Sequence, residues 1–491
     1  MPKTHPVADP ARRSVVGLGL SCLAASLIRA PVGRAASVTD GIDNLLDVSA
    51  SAYGTVGYSV AVLRRGKLVH ARHAGLADLG TGAPITDRSV YPIFSISKLF
   101  LVVELLKAQA RGLIDLGMPL GKIRSGLPAT WSEITLAQAL AHVSGLPDYI
   151  PDHVKPTADQ AFAAIASLPL RFSPGTRNDY NQTNFLLAKE ALEKATQTPL
   201  TTLVGRQFRA AGMKHAAYAE VGVSSPGQVT TYQSSATRDR SPVAFIPAQW
   251  PSYTHGSGGV CASLADMVAW SQSLLRGDLL PLTPLQASWR PFLMPDGGAA
   301  WHTHGWEYYR HGDVTIIGHG GGVRLVWRHV FRTADPADCA TVVYLDNGGR
   351  TTFDRHRLVT LLADRVMPGA ARLWEDQEEA LYRGLASNQW DRAIASVDAT
   401  VPVDRVEAIV NRVGYDTMSI LDAGAALPVF QWNAKRFAQS SNAHDSLGEA
   451  YRAMGRLDQA RASYQRALAL DPSNARIKTV LQELDRPTPS L

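Results

Sequence analysis

A serine three residues ahead of a lysine is the first place in this chain where chemistry suggests itself. In "YPIFSISKLF" (residues 91–100), Ser95 and Ser97 both precede Lys98 within a mostly apolar run. An apolar setting has little use for a cation unless a partner employs it. From Ser95 to about Arg111 the chain has no Gly or Pro before Gly112, and it reads as a helix. On a helix, residues three apart share a face and adjacent residues do not. Ser95 can therefore present its hydroxyl to the Lys98 amine, and Ser97 cannot easily do so. A helix N-terminus at Ser95 adds positive potential that favours a developing oxyanion. Burial lowers a lysine pKa, so a neutral amine can take a proton. Such a pair activates a weak nucleophile. S-x-x-K alone is a common chance match, and the assignment needs company.

Two further motifs supply it. "FSPGTRNDYNQTNFLL" (172–187) places Tyr180 after a Pro-Gly turn and before a helix. "IIGHGGGVRLVW" (316–327) places His319, Gly320 and Gly321 between two strand-like runs. "ITLAQALAHVSGLPDY" (134–149) lies between the first two motifs, and its "HVSGLP" reads as a shaped loop supporting the site. In this order and spacing the set resembles the serine β-lactamase-like, penicillin-recognising hydrolases. The resemblance is nearest to the branch of class C β-lactamases and D-alanyl-D-alanine carboxypeptidases, and spans about residues 45–365.

The resemblance implies a role for each matching position. Ser95 attacks an acyl carbonyl and becomes an acyl-enzyme. Lys98 accepts or relays the serine proton. Tyr180 passes a proton to the leaving group and helps activate water; Lys98 and Tyr180 titrate as a coupled unit. His319 stands at the lysine or histidine of the family's K/H-x-G motif and lines the cleft. Gly321 and Gly322 let substrate backbone approach the strand. The N–H groups of Ser95 and Gly322 form the oxyanion hole. One departure is clear: the family's Y-x-N reads Tyr180-Asn181-Gln182 here. Gln182 takes the substrate-binding amide one methylene further out, or Asn181 is repositioned. Histidine in place of lysine at 319 also removes a permanent cation that could hold a β-lactam carboxylate. Both changes favour an esterase or D-amino-acid peptidase over a proficient β-lactamase, which stays an alternative. A catalytically weak envelope-binding module is the other. "GHGGG" (318–322) also matches an α/β-hydrolase oxyanion loop, but that fold needs a G-x-S-x-G elbow and the chain has none.

Positioning these groups needs a scaffold with strands at both ends. "GYSVAVLRRGKLVHARHAGLAD" (57–78) reads as two strands around an Arg-Gly-Lys turn. Residues 301–346 contain four more strand-like runs, and "TFDRHRLVTLLADRV" a closing helix. The fold class expected is α/β of the β-lactamase/transpeptidase type: an antiparallel sheet with flanking helices plus an all-helical domain, then an all-α repeat domain. Pro368-Gly369 marks the boundary. The repeat domain rests on Leu447, Gly448, Tyr451, Ala460, Tyr464, Ala467 and Pro472, which match a tetratricopeptide pattern. Thirty-four residues earlier Gly414, Ala426 and Phe430 align with Gly448, Ala460 and Tyr464. The expected domains are an export signal (1–36), the hydrolase (37–368), a helical linker or degenerate repeat (369–405) and the repeats (406–491).

The leader carries Arg12-Arg13 and then "SVVGLGLSCLAASLI", an apolar run too short to span a membrane comfortably. Small residues follow near Ala35, so a cleavable signal, periplasmic or extracellular, is expected. Of the formal net charge of +6, the leader holds five cations against one acid, which leaves only +2 for the rest. No basic stripe with interleaved aromatics occurs, so no nucleic-acid partner is expected. The expected partners are a small acyl, peptide or β-lactam-like substrate, and a protein or second copy at the repeats. Cys22 leaves with the leader, and Cys261 and Cys339 read as buried thiols. No H-E-x-x-H or C-x-x-C pattern occurs, and no cofactor is expected. His302 and His304 would share one face of a strand; lacking a third ligand at suggestive spacing, they read as ordinary sheet residues.

Overall fold

The structure is a computed structural model that describes residues 38–149, 157–219, 225–234, 242–245, 251–322, 325–349 and 355–484. The leader, where the export signal is expected, lies outside these residues. The described chain divides into two compact units. One runs from Leu45 to Ala393; the other comprises Ile394 onward together with the residues before Leu45.

The larger unit is built on a seven-stranded sheet. Its strands are β1 (Gly57–Arg64), β2 (Lys67–Gly75), β3 (His302–Thr303), β4 (Trp306–His311), β5 (Val314–Gly321), β6 (Leu325–Arg332) and β7 (Asp335–Asp346). Their spatial order is β2-β1-β7-β6-β5-β4-β3, with every pairing antiparallel. Arg65 and Gly66 both have positive φ (49° and 73°), which joins β1 to β2 through a tight turn whose twist suits a hairpin. The N-terminal hairpin pairs with the C-terminal β7, as the strands at both ends of the domain require. Val60, Val62, Val342 and Val343 are fully buried, the mark of strands covered on both faces.

Four helices matter for the site: α1 (Lys98–Ala110), α2 (Thr183–Thr196), α3 (Leu264–Arg276) and α4 (Arg355–Asp364). α3 packs on β1 and β7, and α4 on β6 and β7. α1 is buried almost all round, from Lys98 through Leu106. Its Phe100 meets Phe208 and Trp270, and Trp270 meets Trp327 of β6. These edge-to-face and tilted ring contacts tie α1 to the sheet. A three-stranded minor sheet (Val90–Pro92, Val260–Ser263, Ala217–Tyr218) supports the other side of the Ser95 turn. Cys261 and Cys339 are buried free thiols.

The sequence boundary at Pro368-Gly369 falls inside the larger unit. A helix over Glu375–Ala386 is held there by buried polar contacts. Tyr53 donates to Glu379 (2.8 Å), and Glu378 accepts from Arg372 (2.8 Å) and lies 3.6 Å from Arg357. Removing one partner of such a pair would leave the other charge buried and uncompensated.

The C-terminal unit contains α5 (Val403–Ile420), α6 (Ala423–Arg436), α7 (Ser441–Ala453), α8 (Leu457–Leu470) and α9 (Ala475–Leu484). The repeat alignment has a direct structural counterpart. A Cβ on Gly414 would lie 2.5 Å from the Phe430 ring, and one on Gly448 would lie 2.9 Å from the Tyr464 ring. In each helix pair the glycine admits the aromatic from the partner helix. Among the described residues no helix is long and apolar enough to cross a membrane.

Candidate active site

Ser95 lies on a 3-10 turn, Phe94–Ser97, that leads into α1 at Lys98. The α-helix therefore begins three residues later than expected. The correction tightens the geometry, because three residues per turn set i and i+3 one above the other. Phe94 adopts φ +46°, a left-handed conformation that costs a non-glycine residue energy. Such strain just before a nucleophile is a recurrent way to fix an exposed hydroxyl.

Ser95 Oγ is half-buried and has two partners. Lys98 Nζ is 3.3 Å away, and the Tyr180 hydroxyl donates to it at 2.7 Å. Ser97 is fully buried, and its Oγ accepts from the Val260 N–H at 3.1 Å. The two serines are thus separated by role: one faces the lysine and tyrosine, the other ties the turn to the minor sheet.

Lys98 is fully buried and has two further acceptors, Gln182 Oε1 and the Ser257 carbonyl, each at 2.8 Å. Burial pushes its pKa down to about 7, against smaller opposing effects of Asp148 and Glu307. A neutral amine keeps two N–H donors and one lone pair. Gln182 and Ser257 occupy the donors, which leaves the lone pair for the Ser95 proton. Tyr180 is 40% exposed, yet its hydroxyl is turned onto Ser95. Withdrawal from solvent raises the phenol pKa far above its ordinary value. A phenol that holds its proton points to Lys98 as the base and Tyr180 as the proton carrier.

The profile of the beta-lactamase family matches residues 38–366. The chain belongs to the beta-lactamase family. This places it among the β-lactamase-related serine hydrolases, with a tetratricopeptide repeat matched over residues 448–477. A D-aminopeptidase of Brucella anthropi is 32% identical over 292 residues, 56% of this chain and 53% of that protein. The chain thus spans about half the length of that relative. A D-aminopeptidase of Cereibacter sphaeroides is 28% identical over 364 residues, 70% of this chain and 68% of its own. Among solved structures, the D-amino acid amidase of Ochrobactrum anthropi SV3, complexed with D-phenylalanine, has a TM-score of 0.54 at 21% identity. It covers 66% of this chain and 98% of its own, and it shows the shared fold.

Three family positions sit differently from the expectation. Gln182 holds Lys98 rather than standing free for substrate. Asn181 is buried under the loop, donating to the Leu146 carbonyl and accepting from Asn184 N–H at 3.3 Å. His319 was expected to line the cleft, but only 1% of it is exposed. Its Nδ1–H donates to the Gly320 carbonyl at 2.6 Å, and its ring packs against Tyr180 and His302. Gly321 also has a different reason to be glycine. A Cβ there would lie 2.4 Å from the Ile93 carbonyl, so the end of β5 can close onto the Ser95 turn only without a side chain. Gly322 follows with φ +54° beside the Phe94 ring.

The supporting residues were harder to find. His142 has φ +56° and packs against Tyr180, with centroids 4.6 Å apart and the rings tilted by 34°. Its Nδ1 accepts from Asn181 N–H (3.0 Å) and faces the Asn184 amide (3.2 Å). Burial, and secondarily His302, holds its pKa well below the usual histidine value, so the ring stays neutral. The "HVSGLP" loop was legible as a support, but not its histidine as the platform under Tyr180. Ser257 acts through its backbone carbonyl, which no side-chain motif reveals.

The Gln182 contact has a measurable consequence. Gln182→Met removes the acceptor and should lower kcat about 10- to 100-fold, the usual cost of a hydrogen bond to a charged group. KM should change little. Gln182→Glu should instead stabilise the ammonium and move the acidic limb of the pH profile above about 7. A rise in KM with unchanged kcat would mean that Gln182 serves the substrate directly.

Proposed function

We propose that this protein is an exported serine hydrolase that cleaves an amide or ester bond next to a D-amino acid, through an acyl-enzyme on Ser95. The observation that carries the reading is Ser95 Oγ held between Lys98 Nζ at 3.3 Å and the Tyr180 hydroxyl at 2.7 Å. The D-amino-acid preference is supported by the relatives named D-aminopeptidase. Export is supported by the leader's paired arginines and short apolar run. The repeats suit a protein partner or self-association, since helix pairs of this kind present extended binding surfaces.

The chemistry proceeds in two halves. Neutral Lys98 takes the Ser95 proton as Oγ adds to the carbonyl carbon. Tyr180 passes a proton to the leaving nitrogen or oxygen, and the scissile bond breaks. Water then adds to the ester, losing its proton to the same pair, and the acid leaves as Ser95 regains its proton. The N–H groups of Ser95 and Gly322 receive the oxyanion in both halves.

The test is a hydrolysis panel with D- and L-alanyl nitroanilides, a short-chain nitrophenyl ester and a chromogenic cephalosporin. The expected result is a kcat/KM for the D-anilide at least about 100-fold above the L-anilide, the preference that the relatives named D-aminopeptidase lead us to expect. Cephalosporin turnover above that of every D-substrate would favour the β-lactamase reading. No turnover and no covalent labelling anywhere on the panel would favour a binding module.

A further inference from the structure

We propose that His302, His319 and Glu307 form a divalent transition-metal site behind Tyr180, of the zinc class, whose occupancy suppresses hydrolysis. The suppression rests on the hydrolase reading above; the binding does not.

The sheet register brings the three residues together. His302 of β3 pairs directly with Glu307 of β4, and Glu307 pairs with Gly318 of β5, the neighbour of His319. Each offers a ligand atom, and these atoms lie within 4.8 Å of one another. His304, which the sequence set beside His302, is turned away by φ +43°, with its Nδ1 3.1 Å from the Ser288 carbonyl. The missing third ligand came from across the sheet.

Two of the donors are free to bind. His302 is 8% exposed and His319 1%, and Nε2 of each has no hydrogen-bond partner among the described residues. A buried polar atom without a partner is costly, and it calls for an account. His319 Nδ1–H is committed to the Gly320 carbonyl at 2.6 Å and is also the ring nitrogen nearest Glu307, 3.4 Å from its Oε1, so the lone pair is on Nε2 and the ring must turn to bring it toward the carboxylate. An imidazole oriented by a backbone carbonyl through its other nitrogen is the arrangement found on metal-bound histidines. Two imidazoles and one carboxylate are a zinc donor set. The third nearby imidazole is excluded, because His142 Nδ1 accepts from the Asn181 N–H.

Opposing features set the strength. Glu307 is paired with the buried Arg328 guanidinium, and its Oε1 accepts from the Gly320 N–H at 3.0 Å. The carboxylate is therefore already largely neutralised. Tetrahedral zinc ligands stand about 3.4 Å apart, so the rings must close in from their present separation. Both features point to micromolar, reversible binding rather than a permanent structural ion. Closing in draws Glu307 off the Gly320 N–H and shifts the end of β5. Gly321 of that strand end abuts the Ile93 carbonyl, two residues before Ser95. Metal occupancy thus disturbs the oxyanion side of the site without touching Ser95.

The experiment uses the full chain freed of metal with a chelator. Zinc titration by calorimetry should give one equivalent bound at micromolar Kd. Cobalt in place of zinc should give visible ligand-field bands of a four-coordinate nitrogen and oxygen site. His302→Asn should weaken both at least about 10-fold, and its own zinc-free activity is the reference for its zinc titration. D-anilide hydrolysis should fall in step with zinc occupancy in the wild type and not in the variant. The wild-type cobalt spectrum decides the donor set even if the variant does not fold. Absence of zinc binding at 100-fold above micromolar concentrations, or a variant that binds as well as wild type, overturns the site. Binding at full strength with undiminished hydrolysis overturns the suppression. A chain that binds zinc but hydrolyses nothing overturns the hydrolase reading and leaves the site standing.

Discussion

Ser95→Ala should lower kcat/KM for a D-aminoacyl anilide by at least about 10³-fold, with little change in substrate affinity. The expectation follows from the isolation of Ser95 Oγ. It is the hydroxyl that meets both Lys98 and Tyr180. Ser97 cannot substitute, because it is fully buried and bound to the Val260 N–H. Its alanine variant supplies the contrast. Ser97→Ala removes one buried hydrogen bond and should cost about 1–2 kcal/mol of stability while retaining most activity. Steady-state kinetics and a urea melt on the two variants separate nucleophile from tether. Equal losses of activity in both would place the defect in the turn rather than in the nucleophile.

Lys98→Met should also abolish most activity, by about 10³-fold or more, yet make the folded protein more stable. The sign comes from the depressed pKa. In the unfolded chain the lysine carries its proton up to a pKa of about 10.4. In the folded protein burial lowers that value to about 7. The charged form is disfavoured by folding, so the penalty grows as pH falls from about 10 to about 7 and is constant below. Its size is on the order of 5 kcal/mol. Methionine escapes it but leaves Gln182 Oε1 and the Ser257 carbonyl without their donor, a loss on the order of 2–4 kcal/mol. The variant should therefore melt higher than wild type near neutral pH, and the order should reverse before pH 10, where the penalty has faded and the lost hydrogen bonds remain. Wild-type kcat/KM should rise with pH through about 7 and then level, as the neutral amine becomes available. A variant less stable than wild type at pH 7 would mean that Lys98 is held as a stabilising ion pair instead.

What the sequence disclosed and what it hid follow from the range of each interaction. Ser95 and Lys98 were legible because i and i+3 meet in any helical turn, 3-10 or α. Tyr180, after a Pro-Gly turn and before a helix, was legible through the resemblance of its motif to the family's. The strands of residues 301–346 were legible from their apolar runs, and Gly414 and Gly448 from their period. The partner of Gln182 was not, because its amide meets Lys98 only after two distant segments pack. The burial of His319 was not, because it depends on three adjacent strands and on Tyr180 above them. The residues of the minor sheet were missed because strands of two to four residues carry no readable periodicity. The larger unit's extension past Pro368 was hidden for a related reason. Its hold is a network of buried charges, which in sequence looks like a solvated helix face.

The most direct measurement is the mass of the enzyme caught during turnover. A slow D-aminoacyl ester, quenched in acid within the first turnovers, should leave an adduct of one acyl group. Peptide mapping should place that adduct on Ser95, and Ser95→Ala should carry none. An adduct on another residue, or the same labelling in Ser95→Ala, would contradict the account.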